Sequence, residues 1–177
     1  MRRCAMGGNV LPENPPADRE ERHFKKNGTE KMKIMVSACL LGENCKYNGG
    51  NNRNERLLQL LSGHTVIPVC PEVLGGLSTP RIPAEIVKGR VMNREGVSVD
   101  EAFRSGAARA LEIARRERPD LIVLQSRSPS CGARQIYDGT FSGTLIPGQG
   151  IFAQMAQEAG FRLKDAEEFI AEGADEP

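Results

Sequence analysis

The sequence predicts a single α/β domain of three layers, in which a mainly parallel sheet carries helices on both faces, together with a small β-hairpin. Two observations predict this class. Short apolar runs rich in β-branched residues alternate along the chain with amphipathic segments, as expected for parallel strands joined by crossover helices. The 177 residues, of which 39% are apolar, are enough for one well-buried core but few for two.

The first 31 residues show no apolar period of either kind and are rich in proline, glycine, asparagine and charge. We expect residues 1–31 to be a disordered extension and residues 32–177 to form the α/β domain. Cys4 and His23 lie in this extension, so neither is a strong candidate for a site. The segment also lacks the apolar core of a signal peptide.

The first half of the domain is predicted from apolar runs and glycine-bearing turns. Residues 33–41 form a buried strand that ends in a glycine- and asparagine-rich loop, and residues 52–63 form a short helix that ends at Gly63. A second strand occupies residues 64–70 and is broken by "PEVLGGLSTPR". Residues 84–99 alternate in polarity around two glycine turns, which predicts the hairpin.

The second half contains the longest helical pattern. Ser98 and Glu101 fit the S-x-x-E capping box, and apolar residues then recur at helical spacing from Val99 to Ala114, until Pro119 ends the helix. The remaining predicted elements are a third strand at 121–126, a turn-rich loop at 135–148, a helix at 151–160, a short fourth strand at 161–163 and a last helix that Asp165 opens.

Composition and charge favour a small-molecule substrate. Twenty-four lysines and arginines against 23 aspartates and glutamates leave a net charge of +1, so no strong field indicates a nucleic acid polymer, a membrane or an acidic partner. No apolar run approaches the roughly 20 residues of a spanning helix. Since neither a signal-peptide core nor a spanning run is recognisable, we expect a cytoplasmic protein. In such a reducing compartment, an odd number of cysteines, five, argues against a disulfide framework.

Three cysteines follow three successive predicted strands. Cys39 lies near the carboxyl end of the first strand, Cys70 ends the second, and Cys131 lies just beyond the third. In an open parallel sheet these ends meet at the edge where ligands bind, so we expect the three thiols to share a site. A thiolate group of this kind selects zinc or an iron-sulfur cluster, with Cys45 left open as a further ligand. His64 lies at the opposite edge and is expected to be structural.

At these cysteines the sequence resembles a known family. The segments "SACLLG", "YNGG", "PVCPEVLGGLSTPR", "SRSPSCG" and "IYDGTFSGTLIPGQGIFA" are similar to the signatures of the bacterial and archaeal domain of unknown function 523 family. Members similar to thiouracil desulfidase bind a [4Fe-4S] cluster through three cysteines, and its fourth iron takes sulfur from a thiolated pyrimidine without net redox change. The resemblance implies that Cys39, Cys70 and Cys131 hold such a cluster here.

Such a reaction also needs proton transfer and substrate contacts. Glu72, two residues after Cys70, is our candidate proton carrier, with Ser128 as a second catalytic candidate. The candidate substrate-binding residues are Tyr47, Ser130, Arg81 and Asp138. For each of these residues a structural role stays open: a helix or turn cap, a salt bridge, or packing of the tyrosine ring.

The predicted function is therefore an iron-sulfur-dependent, non-redox desulfidase that acts on a small thiolated compound, with a thionucleobase such as thiouracil as the leading substrate. One alternative is a non-catalytic protein in which Cys45 completes a closed zinc or cluster site. Another is a sulfur-transfer or thiolation enzyme that runs the same chemistry in reverse.

Overall fold

A computed structural model of the chain describes residues 31–173. The predicted extension, apart from Lys31, lies outside the described residues. In chain order the elements are β1 (Lys33–Ser37), a 3₁₀ helix (Ala38–Leu41), α1 (Glu55–Leu60), β2 (Thr65–Val69), α2 (Pro71–Leu74), β3 (Ala84–Val87), β4 (Arg90–Asn93), α3 (Asp100–Glu117), β5 (Leu121–Leu124), β6 (Gln135–Tyr137), β7 (Leu145–Pro147), α4 (Ile151–Glu158), β8 (Leu163–Asp165) and α5 (Ala166–Glu172). Within residues 31–173, no helix has the length and apolar character needed to cross a membrane.

The central sheet has four parallel strands in the order β2, β1, β5, β8. Alternate residues of β5 belong to two separate apolar clusters, which is why the whole strand is buried. Ile122 and Leu124 pack with residues of α3 and α4, whereas Leu121 and Val123 pack with residues of α1 and α5. The predicted class, a mainly parallel sheet between two helical layers, is confirmed.

The hairpin prediction is also confirmed, because β3 and β4 pair antiparallel. However, the prediction of a loop at residues 135–148 was wrong, since β6 and β7 form a second antiparallel hairpin there. Glycine and proline dominated the pattern, yet the short runs on either side of the turn can still pair. The prediction of a strand through residue 41 was also wrong, because the chain turns into the 3₁₀ helix after Ser37.

The longest helix forms where its apolar spacing predicts, but its start differs. Val99 is the N-cap of α3, and no side-chain hydrogen bond caps this end, so the predicted capping box of Ser98 and Glu101 is not formed. The carboxylate of Asp100 instead accepts the backbone N–H of Val91, 3.0 Å away, and so ties the helix start to β4. The start of α3 is therefore held by a contact with β4 and has no side-chain cap.

The short helix α2 lies directly against α3 through two glycines. A β-carbon added at Gly106 would lie 1.9 Å from the carbonyl oxygen of Pro71, and one added at Gly75 would lie 2.1 Å from that of Ala102. The two backbones can therefore approach this closely only without side chains at these positions. Because α2 follows Cys70 and contains Glu72, this contact sets the position of two candidate site residues.

Candidate iron-sulfur site

The three predicted cluster ligands lie at the carboxyl ends of three adjacent strands. Cys39 is the second residue of the 3₁₀ helix that follows β1, and Cys70 follows β2 directly as the N-cap of α2. Cys131 lies in the loop after β5, and it is buried with 5% of its surface exposed. Because β1 lies between β2 and β5 in the sheet, all three cysteines are brought to the same edge.

The structure also brings Cys45 to this edge. Cys45 is buried, with 7% of its surface exposed, and the thiols of Cys39 and Cys70 both influence its pKa. The interaction with Cys39 is the largest of the effects that raise the pKa of Cys45 to about 11. The neighbouring Cys45 thiol and burial in turn raise the pKa of Cys70 well above its usual range. Four thiols therefore lie at this edge of the sheet. The sequence predicted three of them and left the position of Cys45 open.

The Cys131 sulfur lies beside a buried hydroxyl, that of Ser37. Burial raises the pKa of Cys131 to about 12, while this hydroxyl acts in the opposite direction and favours the thiolate. The Ser37 Oγ accepts the backbone N–H of Gln125 at 2.9 Å, so its own proton is available for the sulfur. The Cys131 backbone N–H is 3.2 Å from the Oγ of Ser128, which fixes the loop.

Glu72 lies between the serine loop and an arginine. Its Oε1 accepts the hydroxyl of Ser130 at 2.6 Å and is 3.4 Å from the Oγ of Ser128. Its Oε2 is bound by the Nε of Arg81 at 2.8 Å and by the same guanidinium's Nη2. The carboxylate is 14% exposed. Glu72, Ser128, Ser130 and Arg81 are therefore brought together next to Cys70 and Cys131, although their roles stay predictions.

The two other substrate-binding candidates lie in different settings. Tyr47 is exposed, its ring centroid is 5.7 Å from the ammonium of Lys46, and its carbonyl accepts the backbone N–H of Arg81. Asp138 accepts the backbone N–H and the hydroxyl of Thr140 at 2.9 and 2.6 Å, which lowers its pKa. These bonds make Asp138 the cap of its own turn, as the alternative interpretation expected, and its contact with substrate stays a prediction.

Sequence reasoning missed two residues that contact the cysteines. Ser37 is buried behind Cys131, and the side-chain amide of Asn52 lies 4.0 Å from the sulfur of Cys39 while its backbone N–H donates to the Cys39 carbonyl. A hydroxyl at the end of an otherwise apolar strand was a usable signal for Ser37. Asn52 is one of five asparagines within residues 44–54, so its position among them gave no signal.

The residues at this edge fit an iron-sulfur cluster. Cysteine thiolates are the usual ligands of such clusters, and hydrogen bonds to their sulfurs tune them. Here the neighbouring thiols and burial raise the pKa values of Cys45 and Cys70. A bound cation would lower the free energy of ionising these thiols. Among residues 31–173, no group of three histidine, cysteine or acidic residues is placed to hold a single metal ion.

The His64 prediction concerns the other edge of the sheet. Its Nδ1 accepts the backbone N–H of Met32 at 3.2 Å, at the start of β1. This contact joins the amino ends of two neighbouring strands, which is a structural role, as the sequence predicted.

Comparisons with known proteins identify the family of this chain. The family model described as 2-thiouracil desulfurase matches residues 34–168. The uncharacterized protein YbbK of Bacillus subtilis (strain 168) is 39% identical over 140 residues, which cover 73% of this chain and 93% of that protein. The solved structure of the [4Fe-4S]-dependent thiouracil desulfidase TudS is 34% identical and covers 81% of this chain and 99% of its own, with a TM-score of 0.72. The chain therefore belongs to the 2-thiouracil desulfurase family.

Proposed function

We propose that this protein is a [4Fe-4S]-dependent desulfidase that removes sulfur from thiouracil or a closely related thionucleobase. The observation that carries the proposal is the edge of the sheet where Cys39, Cys70 and Cys131 meet, with the Glu72 carboxylate beside them. The family match and the similarity to a thiouracil desulfidase support the same chemistry. The substrate is a small molecule.

The cluster would be held by Cys39, Cys70 and Cys131, one thiolate from the end of each of three strands. When bound, it would supply a Lewis acid that accepts the sulfur as sulfur leaves the ring carbon. The Ser37 hydroxyl would stabilise the negative charge of the Cys131 thiolate. On this assignment Cys45 is a neighbour of the ligands rather than a fourth ligand.

The reaction itself replaces a thiocarbonyl by a carbonyl. Water adds to the carbon, a C–O bond forms, the C–S bond breaks, and sulfur leaves as hydrosulfide, so that no electron is gained or lost overall. Glu72 would accept a proton from the attacking water, since its carboxylate is the acid-base group of this edge and already contacts two hydroxyls. Ser130 donates to Oε1 of Glu72 and thereby orients the carboxylate, and Ser128 holds the loop next to it.

The flat ring of a thionucleobase needs an apolar surface. The Tyr47 side chain is 43% exposed and lies two residues beyond Cys45, so it is available to stack on a planar ligand. We propose it as a substrate contact. Asp138 remains a proposed contact from the second hairpin. We also propose a cytoplasmic location, because free thiols and such clusters persist in reducing compartments.

The direct test is an anaerobic assay with reconstituted protein. We expect a brown protein that contains iron and sulfide, and that converts thiouracil to uracil with release of one hydrosulfide per product. Glu72→Gln is the matched variant with an unchanged ligand set. A colourless protein with stoichiometric zinc, or a protein that binds the cluster but releases no hydrosulfide from any thionucleobase, would refute the proposal. Formation of thiouracil from uracil and sulfide as the preferred direction would indicate a thiolation enzyme instead.

A further inference from the structure

Arg81 has all five of its guanidinium N–H donors on protein acceptors. The Nε and one Nη2 proton are on Oε2 of Glu72, and the other Nη2 proton is on the carbonyl of Cys45 at 3.1 Å. The two Nη1 protons are on the carbonyl of Ser78 and the hydroxyl of Thr79, at 3.1 and 3.2 Å. No guanidinium donor is therefore left for a ligand, which argues against the predicted role in substrate binding.

These bonds join two segments that are separate in sequence. Glu72 belongs to α2, whereas Cys45 belongs to the loop that follows the 3₁₀ helix after β1. The same loop is attached a second time, since the backbone N–H of Arg81 donates to the carbonyl of Tyr47 at 2.7 Å. The Arg81 side chain is 10% exposed, so these contacts are largely shielded from solvent. One residue thus fixes both the carboxylate and the loop that carries Cys45 and Tyr47.

We propose that Arg81 is a positioning residue for the desulfidase reaction. It holds Oε2 of Glu72, so that Oε1 faces the serine hydroxyls. It also holds the Cys45–Tyr47 loop at a constant distance from that carboxylate. The inference rests on the proposed function. Lysine cannot replace it, because an ammonium is a single point of charge with three donors and cannot bind a carboxylate and three other acceptors in one plane.

The test compares Arg81→Lys with Arg104→Lys. Arg104 is a matched control, since its Nε binds the Asp100 carboxylate at 2.7 Å and its Nη2 binds the Gly89 carbonyl at 2.9 Å, away from the cysteines. We expect Arg81→Lys to retain iron and sulfide, to lower kcat by about 10²-fold and to change KM by less than about 3-fold. Arg104→Lys should leave kcat within about 2-fold of the parent.

Three further measurements separate positioning from general stability. Because Arg81 acts through Glu72, the double variant Arg81→Lys/Glu72→Gln should have almost the same kcat as Glu72→Gln alone. Guanidinium ions added to Arg81→Ala should restore part of kcat, since they can occupy the vacated site and bind the same acceptors. Arg81→Lys should also exchange its backbone amide hydrogens faster at residues 45–47 than the parent does.

Four results would overturn the inference. A kcat for Arg81→Lys within about 3-fold of the parent would show that Glu72 needs no such support. A large rise in KM with kcat unchanged would show that Arg81 does not act on the reaction through Glu72. Fully additive losses in the double variant would show that Arg81 and Glu72 act independently. If the parent protein releases no hydrosulfide, the proposed function fails, and unchanged amide exchange at residues 45–47 in Arg81→Lys would then refute positioning separately.

Discussion

The substitution Cys45→Ala tests whether the cluster site is open or closed. The change removes one sulfur atom but keeps the backbone, so the Cys45 N–H can still donate to the Glu43 carbonyl at 2.8 Å and its carbonyl can still accept from Arg81. The loop should therefore stay in place. If three cysteines hold the cluster, Cys45→Ala should keep the iron, the colour and a desulfidase rate within a few-fold of the parent.

The structure also sets the expected effect on stability. Cys45 is 7% exposed, so its truncation leaves a small cavity that costs about 1 kcal/mol, or a fall in Tm of roughly 2–4 °C for a chain of this length. Alanine at Cys39, Cys70 or Cys131 should lower Tm by much more, because the binding free energy of the cluster is lost together with its ligand.

Metal analysis, visible absorption and anaerobic thermal melts on the four alanine variants distinguish the two cases. A closed site with four thiolates leaves no iron free to accept the substrate's sulfur. Equal loss of iron and of Tm in Cys45→Ala and Cys70→Ala would therefore refute the mechanism proposed above.

Three other predictions concern separate parts of the chain. Glu72→Gln should keep the cluster spectrum but lower kcat by roughly 10²-fold, since an amide cannot accept the proton. Ser128→Ala should lower kcat by less. A near-parental kcat for Glu72→Gln would show that Glu72 has only a structural role. A chain that starts at Met32 should melt and bind the cluster like the full chain, and a loss above about 1–2 kcal/mol in unfolding free energy would show that the preceding residues pack on the domain. Metal-free protein should lose stability as the pH rises above about 9, because the pKa values of Cys45 and Cys131 are raised in the folded state and the unfolded chain releases these protons first. Thermal melts at increasing pH should show a shallower decline in Cys45→Ala, and an identical decline in both proteins would contradict this assignment.

The common position of the three proposed ligands could be predicted because it depends on topology alone. Each of Cys39, Cys70 and Cys131 follows a strand, and consecutive parallel strands end at the same edge. The place of Cys45 could not be predicted in this way. Five residues separate it from Cys39, and the 3₁₀ helix that turns the chain back toward Cys70 is not marked by any strong local signal. A loop of that length reaches many positions at similar cost.

The partners of Glu72 were harder to predict than Glu72 itself. Its place two residues after Cys70 suggested a role at the same edge, but the ion pair with Arg81 depends on the turn between them. The failed capping box of Ser98 has the same origin. A capping box binds the free N–H groups in the first turn of a helix through side chains nearby in sequence. At the start of α3, the Asp100 carboxylate instead binds β4, which lies outside the capping motif. Short-range patterns could not reveal either contact.

The two glycines between α2 and α3 have a consequence for protein engineering. Replacing a helical glycine by alanine is a common way to stabilise a protein, with a usual gain of roughly 0.5–1 kcal/mol. At Gly106 the added methyl group would meet the Pro71 carbonyl and push α2 outward, taking Cys70 and Glu72 with it. Screens that choose stabilising changes by helix propensity should therefore avoid this position. A residue with no side chain, far from the thiols in sequence, therefore constrains the positions of Cys70 and Glu72.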